Sequence, residues 1–275
     1  MLISIIVPTY KPQAYLYECF ESLESQTAGL HAFEMIVILN GEREPYFTEI
    51  QRYLSNSSLN SRLLYTPVNG ASNARNIALD SLDSGQNRYV VFLDDDDKLS
   101  PNFIEEMAKH AQPGVIVASN SESFYDNEPN KRLPNAYVGK CHEKNFNKDY
   151  DIFSYRCFLS TVWGKIIPVD MIGKTRFNTR FAIGEDSLFS FALSNKIEKM
   201  TLTPPDAYYL RRVRSESVSR KPRSRFSIIS NGLKLCLAYT TVYLRNPFGY
   251  HFLFFISRIV ATFMTMFRSR KKVTI

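Results

Sequence analysis

The chain has 275 residues, 44% of them hydrophobic and 22% charged, enough to bury a large core and too apolar for a mainly disordered chain. Its net charge of +7 is unevenly spread: residues 211–275 hold 14 Lys and Arg against the single acid Glu216, while residues 1–210 hold 20 basic and 26 acidic side chains. A mildly acidic body with a strongly basic tail predicts a polyanion for the tail, anionic lipid or nucleic acid.

Ile3–Val7 is rich in β-branched residues and stops at Pro8-Thr9, so the start reads as a strand and not as a signal peptide. From Gln13 to Ser25, Leu16, Phe20 and Leu23 share one helical face. Phe33–Leu39 is a second apolar run closed by the turn dipeptide Asn40-Gly41. Leu63–Thr66 predicts a third strand and Ala71–Leu82 a helix. Tyr89–Leu93 is a compact apolar run that ends in four aspartates, Asp94 to Asp97. Strands alternating with helices, without hairpin spacing, predict a mostly parallel sheet covered on both faces. Ligands of such sheets sit beyond the carboxyl ends of the strands, where Asn40 and the aspartates fall.

Further along, Pro101 to Lys109 predicts a helix with Ser100 as cap and Pro101 in its first position. Between Glu122 and Asn147 the pattern fades into Pro, Asn and Lys, as loops or an insertion over the site would. Regular signals return over Phe153–Ile167 and Glu185–Leu193. Ile228–Leu244 and Tyr250–Phe267 are apolar, aromatic-rich segments broken by Lys234, Arg245 and Arg258 and followed by the basic run Arg268 to Lys272. No run reaches the roughly eighteen apolar residues of a membrane span. Cys19, Cys141, Cys157 and Cys236 are scattered without a CxxC pair, a pattern that predicts free thiols in a reducing compartment.

The chemistry concentrates in two acidic clusters. Four adjacent carboxylates after a buried strand repel one another unless something compensates them. A divalent cation, Mn²⁺ or Mg²⁺, takes one or two hard oxygen ligands from such a cluster and the rest from substrate phosphates. Glu185 and Asp186 open a helical run and complement its dipole; beside a metal–diphosphate site they become candidates for a general base. The histidines His31, His110, His142 and His251 form no ligand spacing.

Four segments in order, Ile3-Ser-Ile-Ile-Val-Pro-Thr-Tyr10, Gly70-Ala-Ser-Asn-Ala-Arg-Asn76, Phe92-Leu-Asp-Asp-Asp-Asp97 and Gly184-Glu-Asp-Ser-Leu-Phe189, resemble glycosyltransferase family 2. The resemblance covers roughly residues 1–220. It implies a GT-A type, Rossmann-like, mostly parallel α/β sheet with flanking helices, here over residues 1–220, followed by a basic and apolar helical extension over 221–275. It implies an inverting enzyme that transfers sugar from a nucleoside-diphosphate sugar, as in the building of bacterial capsule and lipopolysaccharide. By position it assigns Pro8, Thr9 and Tyr10 to the nucleotide pocket, and Ser72, Asn73 and Arg75 to the nucleotide and its phosphates. Asp96 matches the metal-binding position of the DxD motif, with Asp94 and Asp95 nearer ribose and sugar. Asp186 matches the base that deprotonates the acceptor, with Glu185 holding acceptor or donor sugar. Arg211, Arg212 and Ser217 resemble the stretch that closes over the diphosphate, and Trp163-Gly-Lys165 an acceptor-side element.

One position departs from the family pattern. Where Asp-Asp-Gly-Ser is usual, this chain reads Leu39-Asn-Gly-Glu42, and Asn40 stands where a carboxylate would accept a base N–H. An amide carbonyl accepts the same bond without charge assistance, which keeps a UDP-sugar as the favoured donor. Other readings are an inactive domain that binds nucleotide-sugar, and a nucleotidyltransferase, though Pro8 to Pro12 lacks the Gly-rich basic loop of the latter. For the tail, the composition is that of interfacial helices drawn to anionic lipid. With a lipid-linked or glycan acceptor, this predicts a cytoplasmic protein peripheral on the inner face of the cell membrane. Packing of the tail on the catalytic domain or on a second copy is the alternative; nucleic acid finds no matching motif.

Overall fold

The computed structural model describes residues 2–82, 88–133, 137–214 and 224–267. The first half alternates as the sequence predicts: β1 (Leu2–Thr9), α1 (Ala14–Glu24), β2 (Phe33–Asn40), α2 (Tyr46–Asn56), β3 (Ser61–Thr66), α3 (Ala71–Asp80) and β4 (Arg88–Phe92). Then come β5 (Lys98–Leu99), α4 (Phe103–His110), β6 (Val115–Ala118), β7 (Asn120–Tyr125), β8 (Glu128–Leu133), α5 (Tyr137–Asn145), β9 (Lys165–Pro168) and α6 (Val169–Ile172). The chain continues through α7 (Glu185–Leu193), β10 (Lys199–Leu202), β11 (Tyr208–Val213), α8 (Arg225–Arg245) and α9 (Phe252–Phe267).

Seven strands form one sheet in the order β10-β6-β9-β4-β1-β2-β3, parallel except for β9, which runs against both neighbours. Successive residues of its central strands face opposite sides, and both sides are buried. Ile3, Ile5 and Val7 of β1 pack with Leu16, Phe20 and Leu23 of α1 and with Phe103 and Met107 of α4. Ile6, Val90 and Phe92 face the other side, against Ala74 and Ala78 of α3, Phe189 and Phe191 of α7, and Leu235, Tyr239 and Phe254 of the last two helices. Burying each such Leu or Phe contributes about 1.5–3 kcal/mol, so two apolar layers explain why the strands read as continuous hydrophobic runs. The register sets Thr9 level with Leu39 and Ile6 level with Phe92, bringing the ends of β1, β2 and β4 to one edge.

A smaller sheet, β5-β11-β7-β8, lies beside this edge. It corrects the expectation of loops between Glu122 and Asn147, where β7, β8 and α5 form. The strands escaped notice because β7 buries Ser121 and Ser123, which carry no apolar signal, and β8 is mostly exposed. Helix α4 begins at Phe103, later than predicted. Ser100 does not cap it: its hydroxyl accepts from the Tyr208 amide at 2.9 Å and donates to Asn102 at 3.0 Å, so β11 holds it extended. The regular signal over Phe153–Ile167 resolves into turns, one 3-10 turn at Phe158–Ser160 that buries Phe158 and Leu159, and β9.

The cysteines are also corrected. Cys141 of α5 and Cys157 are joined in a disulfide, while Cys19 and Cys236 are free. Packing of α5 against the turns before residue 158 brings the pair together, which spacing along the chain does not reveal.

Candidate active site

The loop after β4 is built around one buried carboxylate. The Leu93 amide donates to the Ile6 carbonyl at 3.0 Å, and the Asp97 amide closes a turn onto the Asp94 carbonyl at 3.1 Å. Asp97 turns inward and is buried. It accepts from the Tyr209 hydroxyl at 2.7 Å and from the Arg212 amide at 2.7 Å. Burial, then the charges of Asp96 and Asp94, push its carboxyl well above the usual range. The Tyr209 hydroxyl also accepts from the Asp94 amide at 3.1 Å, and Trp163 stacks on the Tyr209 ring at 4.7 Å. Asp97 therefore anchors the loop, and the three preceding aspartates remain for other work.

Each of those three has a partner from a different element. Asp94 meets Arg75 of α3 at 2.7 Å, and the same guanidinium reaches Asp186 of α7 at 3.0 Å. Burial works against the Arg75 cation, but Asp186 and Asp94 outweigh it and raise its pKa. Asp95 accepts from Thr9 of β1 at 2.5 Å; burial, then Asp96, push its carboxyl up to about 7. Asp96 meets Arg214 at 2.5 Å. Burial and Asp94 raise the Asp96 pKa, while Arg214 pulls it down.

The second acidic pair opens α7. Gly184 precedes it at φ +91°, where a Cβ would lie 2.6 Å from the Leu235 side chain; the glycine thus permits both the left-handed turn and the approach of α8. Burial, then Asp186, push Glu185 up to about 7. Burial raises Asp186 as well, opposed chiefly by Arg75 and less by Lys165, with Asp94 adding upward pressure. Arg75 thus joins the aspartate loop and the α7 acids into one electrostatic unit.

Several residues singled out from the sequence sit differently. Asn40 is 2% exposed. Its amide donates to the Thr9 carbonyl at 2.6 Å and its carbonyl accepts from the Gly70 amide at 2.9 Å. The side chain braces β1 against the start of α3 instead of standing open for a base. Lys165 is 1% exposed. Its ammonium donates to the carbonyls of Phe158 at 2.6 Å and Thr161 at 2.5 Å, so it holds the 158–163 turns together. Arg212 is held by Glu18 at 2.8 Å, Asp126 at 2.6 Å and the Asp96 carbonyl at 2.8 Å. Arg75, expected on phosphates, bridges Asp94 and Asp186 instead.

The other predicted residues sit as follows. Pro8 is buried in β1, and Tyr10 is exposed with its ring against Gly41, where a Cβ would come within 2.8 Å of it. Ser72 is buried in the first turn of α3. Asn73 donates to the Thr66 hydroxyl at 3.3 Å and the Val68 carbonyl at 3.2 Å. Trp163 is half-buried beside Phe92, and Arg211 is half-buried on β11. Ser217 lies outside the described residues. Sequence reasoning missed Asp97 as an anchor, Tyr209 as its partner, and Arg214. The last had a signal, the i, i+2 pair Arg212-Val-Arg214 at a strand end, which points both arginines to one side.

The carboxylates offer a hard oxygen donor set, but among the described residues no group of three or more His, Cys, Asp or Glu is placed to hold a metal. That fits a cation that takes one or two protein ligands and completes its shell from substrate phosphates. Asp96, with Asp94 beside it, is the group that could hold it.

Comparison with known proteins agrees with this architecture. The chain is 27% identical over 231 residues to the glycosyltransferase GlyA of Streptococcus pneumoniae, a match covering 79% of this chain and 31% of that one. It is 28% identical over 108 residues to TarS of Staphylococcus aureus, a poly(ribitol-phosphate) beta-N-acetylglucosaminyltransferase, covering 39% of this chain and 18% of that one. The crystal structure of TarS 1–349 in complex with UDP-GlcNAc superposes with a TM-score of 0.68 at 18% identity, over 87% of this chain and 66% of that one. The mannosyltransferase PcManGT of Pyrobaculum calidifontis, in complex with GDP-Man and Mn²⁺, gives 0.58 at 15% identity, over 97% and 76%. The chain spans about a third or less of the length of these two curated relatives. The model of the family described as Glycosyl transferase family 2 matches residues 4–197, most of the chain, and the chain belongs to that family.

Proposed function

We propose that this protein transfers a sugar, with inversion, from a nucleoside-diphosphate sugar to a hydroxyl of a glycan or lipid-linked acceptor in bacterial surface polysaccharide synthesis. The observation that carries this reading is the bridge Asp94–Arg75–Asp186, which sets a diphosphate-side carboxylate and a base candidate on one guanidinium. The favoured donor is a UDP-sugar, the nucleotide class that TarS binds. Tyr10, lying across Gly41, and the segment Ser72–Asn73 would line the nucleotide side, with Thr9 fixing Asp95. Arg214 takes the part expected of Arg211 and Arg212, because its guanidinium pairs with the Asp96 carboxylate, whereas Arg212 bonds the Asp96 backbone carbonyl.

Asp96, with Asp94 beside it, would hold Mn²⁺ or Mg²⁺. Such a cation, when bound, neutralises charge that grows on the departing nucleoside diphosphate. The chain's own residues do the rest. Arg75 pairs with one oxygen of Asp186 and favours its ionised form, in which the carboxylate would accept a proton from the acceptor hydroxyl. Glu185, one residue away, would hold a sugar hydroxyl. Trp163, stacked on Tyr209, would form the acceptor-side wall. Holding both substrates in register supplies much of the rate. The exposed apolar faces of α8 and α9, with the basic residues of the tail, would dock the protein on the inner face of the cell membrane.

The test is release of nucleoside diphosphate from a panel of UDP-, GDP- and dTDP-sugars, with Mn²⁺ or Mg²⁺ and a mixed glycan and lipid-linked acceptor extract. Acceptor-dependent release from one donor is expected, with kcat lowered about 10²–10⁴-fold in Asp186→Asn and release lost in Asp96→Ala. Retained anomeric configuration in the product, read by NMR, would overturn the inverting route. Donor binding without release above the variants' background would favour a nucleotide-sugar binding protein.

A further inference from the structure

Beside the acidic pair, α7, α8 and α9 enclose a cavity of about 470 Å³, within the range of small-ligand sites. Its lining includes Gly184 and Ser187, so one wall is the start of the helix that carries Glu185 and Asp186. Ile228, Leu235 and Met266 make it largely apolar. One full charge lines it, the guanidinium of Arg258 from α9.

Arg258 is 5% exposed. Its terminal nitrogens donate to the Ser160 hydroxyl at 3.2 Å and the Arg156 carbonyl at 2.9 Å, and its plane lies 4.7 Å from the Phe254 ring. Its Nε is buried with no hydrogen-bond partner, and no carboxylate of the described residues acts on it. A buried cation without a counter-charge is costly. Its two hydrogen bonds tie α9 to the 156–160 turn, yet both acceptors are neutral and leave the charge uncompensated. An anionic ligand would supply the counter-charge.

We infer that this cavity is an acceptor subsite for an amphiphile carrying a phosphate on an aliphatic chain, with the phosphate on Arg258 and the adjoining chain against Ile228, Leu235 and Met266. The inference rests on the proposed transferase reading and names where its acceptor sits. Charge complementarity selects the phosphate; a neutral glycan would leave Arg258 unpaired, and a nucleotide would leave the aliphatic wall unused. Gly184 and Ser187, on either side of the acidic pair in sequence, line the cavity, which sets it beside the start of α7.

Calorimetric titration with decyl phosphate below its critical micelle concentration tests this, using the full chain. One saturable site is expected, weakened about tenfold or more by Arg258→Gln, as loss of a charge-assisted hydrogen bond implies. Arg258→Lys should restore most of the affinity, and Ala261→Phe, which fills the cavity, should abolish binding. Absence of binding to the wild type, or equal binding to Arg258→Gln, overturns the inference. Vesicles of phosphatidylcholine and phosphatidylglycerol should float the wild type and Arg258→Gln alike; selective loss in the variant would assign the cavity to bilayer headgroups and overturn the acceptor role. UDP with Mn²⁺, titrated in parallel, should bind the wild type and the variants equally. Its failure in the wild type would sink the nucleotide-sugar reading alone and leave the cavity result standing.

Discussion

Lys165 shows what a motif position hides. In the sequence, Trp163-Gly-Lys165 reads as an acceptor-side element, yet the ammonium is buried under the carbonyls of Phe158 and Thr161. Burial pulls its pKa from 10.5 down to about 7, against the attraction of Asp186. At pH values below 7 the ammonium is charged in both folded and unfolded chains, and the fold bears its desolvation. Between about 7 and 10.5 the folded chain sheds the proton first, so stability should rise with pH across that window. The slope is at most about 1.4 kcal/mol per pH unit. Urea unfolding at pH 7.5 and 9.0 should show the wild type gaining on Lys165→Met as pH rises; a constant difference would show that Lys165 keeps an ordinary pKa. Asn40 gives the same lesson in reverse. Its departure from the family pattern was legible, but the brace between Thr9 and Gly70 was not, because both partners are backbone groups.

Strands β1, β2 and β4 and helices α1, α3 and α7 were legible because each buries an unbroken apolar run or one helical face. β7 and β8 were not, since small polar residues and an exposed edge carry no periodic signal. The contact of α8 on Gly184 belongs to this scale. Gly184→Ala should strain the left-handed turn and push Leu235 away, with Asp186 displaced. About 1–2 kcal/mol of stability should be lost, together with a fall in kcat. Pairing it with Leu235→Ala separates the causes: kcat should recover in part if the steric push displaces Asp186, whereas the backbone cost of a φ of +91° would remain. No recovery in kcat would assign the whole effect to the turn.

At the scale of the molecule, the tail answers to two surfaces. Tyr239 meets Ser187 at 2.6 Å, and Phe191 packs with Tyr250, Phe254 and Phe255, so the last two helices complete the core. Truncation after Arg220 would expose that core and test folding more than anchoring. Outward, Phe226 is 83% exposed and Leu237 68%, and no helix among the described residues is long and apolar enough to cross a membrane. Flotation with vesicles containing phosphatidylglycerol should be strong at low salt, weaken as ionic strength rises, and drop in Leu237→Glu and Met264→Glu without loss of thermal stability. Unchanged flotation in both variants would remove these faces from any membrane contact.

By itself, the sequence determined the layered α/β architecture, the strand ends that gather the site, and the two acidic clusters, because burial periodicity and local charge density are properties of neighbouring residues. The tertiary structure decided which aspartate turns inward, that Arg75 joins Asp94 to Asp186, that Arg214 meets the Asp96 carboxylate while Arg212 holds its backbone carbonyl, and that Arg258 lines a cavity beside α7. The two contacts of Arg75 alone span 19 and 111 residues along the chain. Only packing brings such partners together, and only burial makes their charges act on one another.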